Sequence, residues 1–268
     1  MIGIAPLLLE GEKAMLMGDT DVCDYLDFIV APGKGAEFFR VLLEHLGREG
    51  ITCLDLKLLH PESTVLTELK DIAQKQGCDV SCNALDISSE LELPSTWDEY
   101  LLMLTGKQRH EIRRKIRRLH KEARIKYRVV ESVEEVRDEI DTFFALFKSS
   151  AEVKADFLTD RMDSYFRSLA EAMAEAKMLK LCFLDLDNTP AAAAMCFDYN
   201  STIYLYNSGY EPRLGSLSVG LLCKVFSIQD SIQNGRQKYD FLKGAESYKH
   251  RLGGREVPLY GCQIQLNT

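Results

Sequence analysis

At 268 residues, with 46% apolar and 28% charged side chains, the chain has the composition of a folded globular protein that can bury one large core or two smaller ones, which excludes a fibre or a disordered tail. The formal net charge of -8 is unevenly spread: residues 107–128 carry eleven Lys or Arg against Glu111 and Glu122, a local +9 that leaves -17 for the remainder. One cationic face on an acidic body suits phosphate or another polyanion. The opening MIGIAPLLLEGEKAMLMG lacks a basic leader and a small-residue cleavage site, and no apolar run approaches 18 residues, so a cytoplasmic location is expected. The eight cysteines, at 23, 53, 78, 82, 182, 196, 223 and 262, sit mostly in apolar runs and read as reduced core residues. Cys78 and Cys82 have neither a second pair nor a nearby histidine, so no metal site is expected.

Residues 14–17 and 25–30 read as strands closed by Gly18 and by Ala31-Pro32-Gly33. EFFRVLLEHLGREG places Phe38, Leu42, Leu43 and Leu46 on one helix face and stops at Gly47 or Gly50. A strand in ITCLDLKLL, a helix in STVLTELKDIAQKQG and a strand in CDVSCNALDIS follow. Ser95 or Thr96 can cap the next helix, with Asp98 and Glu99 in its first turn. A second helix carries the basic run, and its apolar stripe is Ile112, Ile116, Leu119 and Ala123. SVEEVRDEIDTFFALFKSSAEVK and DRMDSYFRSLAEAMAEAK read as helices. Strands in MLKLCFLDLD, AAAAMCFDY and STIYLYNSGY precede a helix in LSVGLLCKVFSIQDSIQNG and a strand in RQKYDFLKG.

The second half repeats the grammar of the first. Tyr25-Leu26 before Pro32 matches Tyr204-Leu205 before Pro212, while Gly50 and Asp55 match Gly235 and Asp240, both pairs 185 apart. The fold class expected is α/β (an α+β mixed sheet): a shortened lobe over 1–92, a helical connector with the basic helix over 93–130, and a second lobe over 131–268.

Four pieces of the second half, YLYNSGYEP, LSVG at a helix start, KYDFLKG and ESYKHRLGG, resemble in order and spacing the acetyltransferase domain of the CelD type, in the GNAT superfamily. That group is similar to the Fem-type peptidoglycan aminoacyltransferases, which carry two such lobes in one chain. The upstream WDEYLLMLTGKQRHEIRRKIRRL resembles the tryptophan-led, arginine-rich helix that precedes the domain in the family. The resemblance implies tandem GNAT-like lobes. It also implies an N-acyltransferase that moves an acyl group, most simply acetyl from acetyl-CoA or another acyl-CoA, to an amine of a sugar or cell-envelope precursor. A Fem-like enzyme using aminoacyl-tRNA, or a non-catalytic lobe pair binding RNA or an acidic partner, are the alternatives.

Acyl transfer needs an anchored donor, a polarised carbonyl and a neutral nucleophile. In the superfamily two splayed strands pair with the donor arm, and here these would be residues 203–208 and 238–242. The donor's phosphates would meet the helix start at Arg213, Gly215, Ser216, Leu217, Ser218, Val219 and Gly220, with the glycines permitting close approach and Ser216 or Ser218 donating a hydroxyl or capping the helix. This loop departs from the superfamily's Q/R-x-x-G-x-G/A pattern, and an ordinary capped helix is the plainer reading. Lys249 would stabilise carbonyl or phosphate charge, by likeness to a lysine lining the Fem-type donor site. Glu246 would accept the amine proton, and Tyr206 or Tyr248 would protonate the leaving group or orient the acceptor. Asp240 is a catalytic candidate too, although its recurrence as Asp55 favours a structural role. Tyr204, Asn207 and Tyr210 could meet an acceptor or fill the core, Tyr204 and Tyr206 sharing a strand face. Arg113, Arg114, Arg117 and Arg118 could grip a phosphorylated acceptor, tRNA or an anionic membrane surface, or form a solvated face; DNA is not an expected partner. None of His45, His60, His110, His120 and His250 has the partner motif of a catalytic triad.

Overall fold

Hydrophobic periodicity and glycine punctuation set most of the elements seen in the computed structural model, which describes residues 1–266. In chain order these begin with β1 (Gly3–Ile4), β2 (Leu7–Glu10), β3 (Lys13–Leu16), β4 (Ile29–Val30), α1 (Gly35–Arg48) and β5 (Cys53–Leu59). A π-helical turn over Val65–Leu69 runs into α2 (Lys70–Lys75), and β6 (Asp79–Glu92) follows. Then come α3 (Trp97–Met103), α4 (Gly106–Glu122), β7 (Ile125–Val130), α5 (Val133–Ser149), α6 (Glu152–Phe157) and α7 (Asp160–Glu175). The last stretch holds β8 (Leu179–Leu186), β9 (Thr189–Tyr199), β10 (Thr202–Tyr210), a 3-10 helix (Pro212–Leu217), α8 (Val219–Gln233), β11 (Lys238–Lys243), α9 (Ser247–Arg251) and β12 (Arg255–Gln265). The chain divides into two compact units: the first holds Met1–Ser88, Lys243–Ala245 and the residues from Glu256 on, the second Ser89–Leu242 and Glu246–Arg255.

In the first unit the strand order is β2-β3-β5-β12-β6, with β1 paired to β4 apart from it. Phe38, Leu42, Leu43 and Leu46 of α1 are buried as their spacing predicts, against Leu54 and Leu56 of β5 and Ile264 of β12. Two expectations change here. Residues 25–30 give only the two-residue β4, and the strand expected at 14–17 appears as β3, paired through a turn at Gly11 with φ +60° to β2, which was not expected. Cys82 and Cys262, expected as thiols, form a disulfide across a sequence separation of 180.

The second unit orders β11-β10-β9-β8-β7, with β6 from Ser89 beside β11. Its central strands are buried on both faces, so they read as continuous apolar runs. Cys182, Leu184, Ala192, Ala194, Cys196, Ile203 and Leu205 join the core formed with α8, and their alternating neighbours face α5 and α7. Thr96 and Thr105 each build a complete capping box, starting α3 and α4 where the sequence places helices. Ile112 and Leu119 of α4 are buried, with Ile116 and Ala123 packed beside them, which is the predicted stripe.

Each unit contains an antiparallel pair continued by a parallel strand-helix-strand crossover: β2-β3-α1-β5 in the first, β9-β10-α8-β11 in the second. Met15 pairs with Asp55 in the one and Tyr204 with Asp240 in the other, so the two aspartates hold the same register position. The counterpart of Tyr204 is therefore Met15, and the expected match with Tyr25, which lies outside any strand, is corrected.

Candidate functional site

The parallel pairing of β10 and β11 covers three residue pairs and ends at Tyr204 with Asp240. Both strands run on, β10 to Tyr210 and β11 to Lys243, so they part at that point. Two features of the sequence force the parting. A bulge between Leu205 and Asn207 shifts the register of β10. On β11, Leu242 adopts φ +59°, and the Oδ1 of Asp240, a residue only 2% exposed, accepts the Leu242 N–H at 2.7 Å. Asp240 is thus engaged in holding a left-handed backbone turn.

The Leu242 carbonyl points to the next element. Lys249, 2% exposed on the short α9, donates its Nζ to that oxygen at 2.9 Å and ion-pairs with Glu246 Oε2 at 2.9 Å. Glu246 precedes α9 and keeps an exposed side chain. Tyr248 is half-buried against Phe241, and burial, reinforced by Glu246, pushes its phenol well above the ordinary range. Lys249, Glu246, Tyr248 and Asp240 therefore gather at the end of β11. Tyr206 lies on β10, its ring against Phe166 of α7 and Phe197 of β9. Tyr204 is half-buried, its phenol raised by burial and then by Asp240. Asn207 is half-buried just past the bulge, and Tyr210 packs with the α8 core.

At the start of α8 the first intrahelical bond runs from Leu222 N–H to Ser218 O, leaving the amides of Val219, Gly220 and Leu221 ahead of it. Gly220 is held closely, since an added Cβ would lie 3.0 Å from the Tyr210 ring, whereas one at Gly215 would meet nothing within 4 Å. Ser216 is exposed and Leu217 half-buried. The expected serine cap is not made: Ser218 is left-handed at φ +59° with no capping bond, and its hydroxyl instead accepts from Lys115 Nζ of α4 at 2.5 Å. Arg213 is tied to Glu211 by two bonds from one edge of its guanidinium, Nε to Oε1 and Nη2 to Oε2. Beside this loop a cavity of about 580 Å³ is lined by residues that include Lys107, Lys115, Leu221, His250, Arg251 and Leu252. Arg113, Arg117 and Arg118 are exposed on α4, while Arg114 pairs with Glu111.

Sequence reasoning passed over three lysines of the second unit. Lys115 was hidden in the basic run. Lys224, 8% exposed in α8, donates to Gly220 O at 3.2 Å and lies 4.9 Å from the centre of the Tyr248 ring. Its signal was a lone charge inside VGLLCKVFSI. Lys154 of α6 donates to Ser208 O of β10 at 2.5 Å and lies 4.9 Å from the Phe147 ring centre. Burial, then repulsion from Lys224, lowers the Lys154 ammonium to about 8, with Glu246 opposing. Among the described residues no cluster of metal ligands occurs, and no helix is long and apolar enough to cross a membrane.

Comparison with known proteins places this geometry. The family model described as Acetyltransferase (GNAT) domain matches residues 106–250. No curated protein matches the chain. Among solved structures, the C-terminal domain of a putative lysylphosphatidylglycerol synthetase from Agrobacterium fabrum is similar, with a TM-score of 0.64 at 12% identity over 97% of this chain and 79% of that one. FemX gives 0.64 at 11% identity, covering 97% and 84%. L-PGS from Bacillus licheniformis gives 0.60 at 11%, covering 98% and 80%. At such identities the likeness is one of fold.

Proposed function

Since the chain belongs to the acetyltransferase (GNAT) domain family, we propose that it is an N-acyltransferase of the CelD-like kind, moving an acetyl group from acetyl-CoA to an amine of a sugar or cell-envelope precursor. The observation that carries this reading is the parting of β10 and β11 after Tyr204 and Asp240, with Lys249, Glu246 and Tyr248 at its edge. Backbone groups released by the parting would hold the donor arm as an added strand is held. The leading amides of α8 and the nearby Lys115 suit the donor's phosphates. Arg213, exposed and paired with Glu211, would join them by exchanging that carboxylate for a phosphate.

In this reading Glu246, exposed enough to meet an acceptor, takes the proton of the attacking amine. The Lys249 ammonium stabilises negative charge on the acyl oxygen as the new C–N bond forms. Tyr248, kept neutral by its burial, donates a hydrogen bond to the departing thiolate, which takes up the proton that Glu246 received from the amine. Asp240 supports the site by holding the backbone turn at Leu242, whose carbonyl accepts from Lys249.

The test is acetyl transfer to a panel of amino sugars, read by release of free thiol. Lys249→Met should lower turnover at least a hundredfold, about 2.7 kcal/mol of transition-state stabilisation. Because Lys249 is buried and doubly bonded, the comparison is made below the variant's melting temperature. Turnover within threefold of the parent would remove Lys249 from the chemistry, and absence of any thermal shift with millimolar acetyl-CoA would remove the donor.

A further inference from the structure

Which backbone groups β10 turns toward the departed β11 follows from its register with β9. Glu211 donates its N–H to Ala191 O, so residue 211 faces β9. Facing alternates along an antiparallel pair, which turns the backbone groups of Gly209 and Asn207 toward β9 as well and those of Ser208 and Tyr210 away from it. Away from β9 is the side of β11, whose pairing has ended at Tyr204. The carbonyls of Ser208 and Tyr210 are therefore acceptors that the parting leaves without a strand.

Both are taken by side chains of one neighbouring segment. Ser149 Oγ, at the end of α5, donates to Tyr210 O at 3.2 Å, and Lys154 Nζ, on α6, donates to Ser208 O at 2.5 Å. The two contacts differ in permanence. The end of α5 lies hard against β10, since a Cβ on Gly209 would stand 2.4 Å from the backbone of Leu146 and Phe147, and both of those side chains are buried. By contrast, all six residues of α6 are exposed or half-buried, and among the described residues no side chain caps its N-terminus. So short and exposed a helix has little stability of its own. Lys154 pins it, on Ser208 O and 4.9 Å from the centre of the Phe147 ring, with Phe157 6.1 Å from Phe166 and Leu158 buried just past its end. An ammonium is a costly partner for a neutral carbonyl, because it must shed water to reach it.

We propose that Lys154 gates the donor groove: its ammonium occupies the Ser208 carbonyl until an acyl donor arrives, and an amide N–H of the donor arm then takes that carbonyl while α6 moves aside. Tyr210 O stays with Ser149 and marks the closed end of the groove. The gate rests on the acyltransferase reading and adds to it a residue that sets donor affinity without touching the reacting atoms. While Lys154 competes for the acceptor, the donor's apparent affinity is lowered by the fraction of molecules whose gate is closed. Turnover of the bound complex is unaffected, because there the gate is already open.

Calorimetric titration with acetyl-CoA and hydrogen exchange test this together. Lys154→Ala should bind acetyl-CoA at least fivefold more tightly than the parent, with KM for the donor falling in step and kcat within threefold. In the parent, the amides of residues 152–157 should exchange faster once acetyl-CoA is saturating. Equal or weaker binding by a folded Lys154→Ala would overturn the gate. Unchanged or slower exchange over 152–157 in the donor-bound parent would overturn it too, and that result needs no variant to fold. In either case the acyltransferase reading stands, because the parent has bound its donor. Binding of acetyl-CoA by neither parent nor variant would defeat the donor reading, and the gate with it.

Discussion

Lys154 shows how a single buried charge writes itself into stability. Its ammonium is lowered to about 8 from an ordinary 10.5, first by burial and then by Lys224. Between these two values the unfolded chain binds the proton that the folded chain has shed, so the lysine's destabilisation is complete below pH 8 and is relieved as pH rises toward 10.5. The full effect is on the order of 3 kcal/mol, discounted for the part of the side chain that meets water. Lys154→Met should therefore gain stability over the parent at pH 7, by urea unfolding, with most of the gain gone at pH 9.5. A difference that does not change with pH would show that Lys154 is not held at a disadvantage. Of the residues at this site, Lys249 and Glu246 were legible because they follow Gly244 in a polar run that matches a family pattern. Lys224 left a weaker trace as one charge among apolar neighbours. Lys154 left none: on a short polar helix, its sequence cannot reveal that it reaches the Ser208 carbonyl. Asp240 was legible in a different way, because its recurrence as Asp55 already favoured a role in the backbone.

At the scale of elements, α4 was the most readable part of the chain and still kept its partners hidden. Threonine cap, apolar stripe and cationic faces all follow from spacing. That Lys115 leaves the cationic face to meet Ser218, and that Arg114 is neutralised by Glu111, does not. The distinction sharpens what α4 could do with a polyanion, because only Arg113, Arg117 and Arg118 of the four candidate arginines stand exposed without that pairing. If this face serves an aminoacyl-tRNA donor, the charge-reversed triple variant R113E/R117E/R118E should bind tRNA more weakly and flatten the salt dependence of log K by about 0.7 to 0.9 per lost phosphate contact. Fluorescence anisotropy across a salt series reads this directly. An unchanged slope would return α4 to a solvated face. Strands were read less well than helices where they were short. Of the hairpin, β3 was expected at 14–17 but β2 was missed because its apolar side chains alternate poorly with polar ones, and 25–30 was overread because an apolar run before a proline resembles a strand whether or not a partner strand is present.

Over the whole chain, each unit is built around the same crossover, yet the chain does not pass from one to the other once. After the second unit closes at Arg255, the remaining strand β12 pairs with β5, and the order within the first unit depends on it. A reading by contiguous sequence blocks cannot see this, because the pairing partners Cys53–Leu59 and Arg255–Gln265 lie some two hundred residues apart and each looks like an ordinary strand by itself. The disulfide between Cys82 and Cys262 joins β6 and β12 inside the first unit and closes a loop that contains all of the second. Closing so long a loop removes much of the freedom of the unfolded chain, so loss of the bond in Cys82→Ser/Cys262→Ser should cost about 2 to 4 kcal/mol. The cost falls on the first unit, since both sulfurs belong to it, while the candidate site lies in the second. Calorimetry should show the first unit's transition shifted downward in the double variant, and in the parent under reducing conditions, with the second unit's transition unaltered. A melting profile indifferent to reductant would mean that hydrophobic packing of Cys262 and Ile264 against β5 and α1 holds β12 in place by itself.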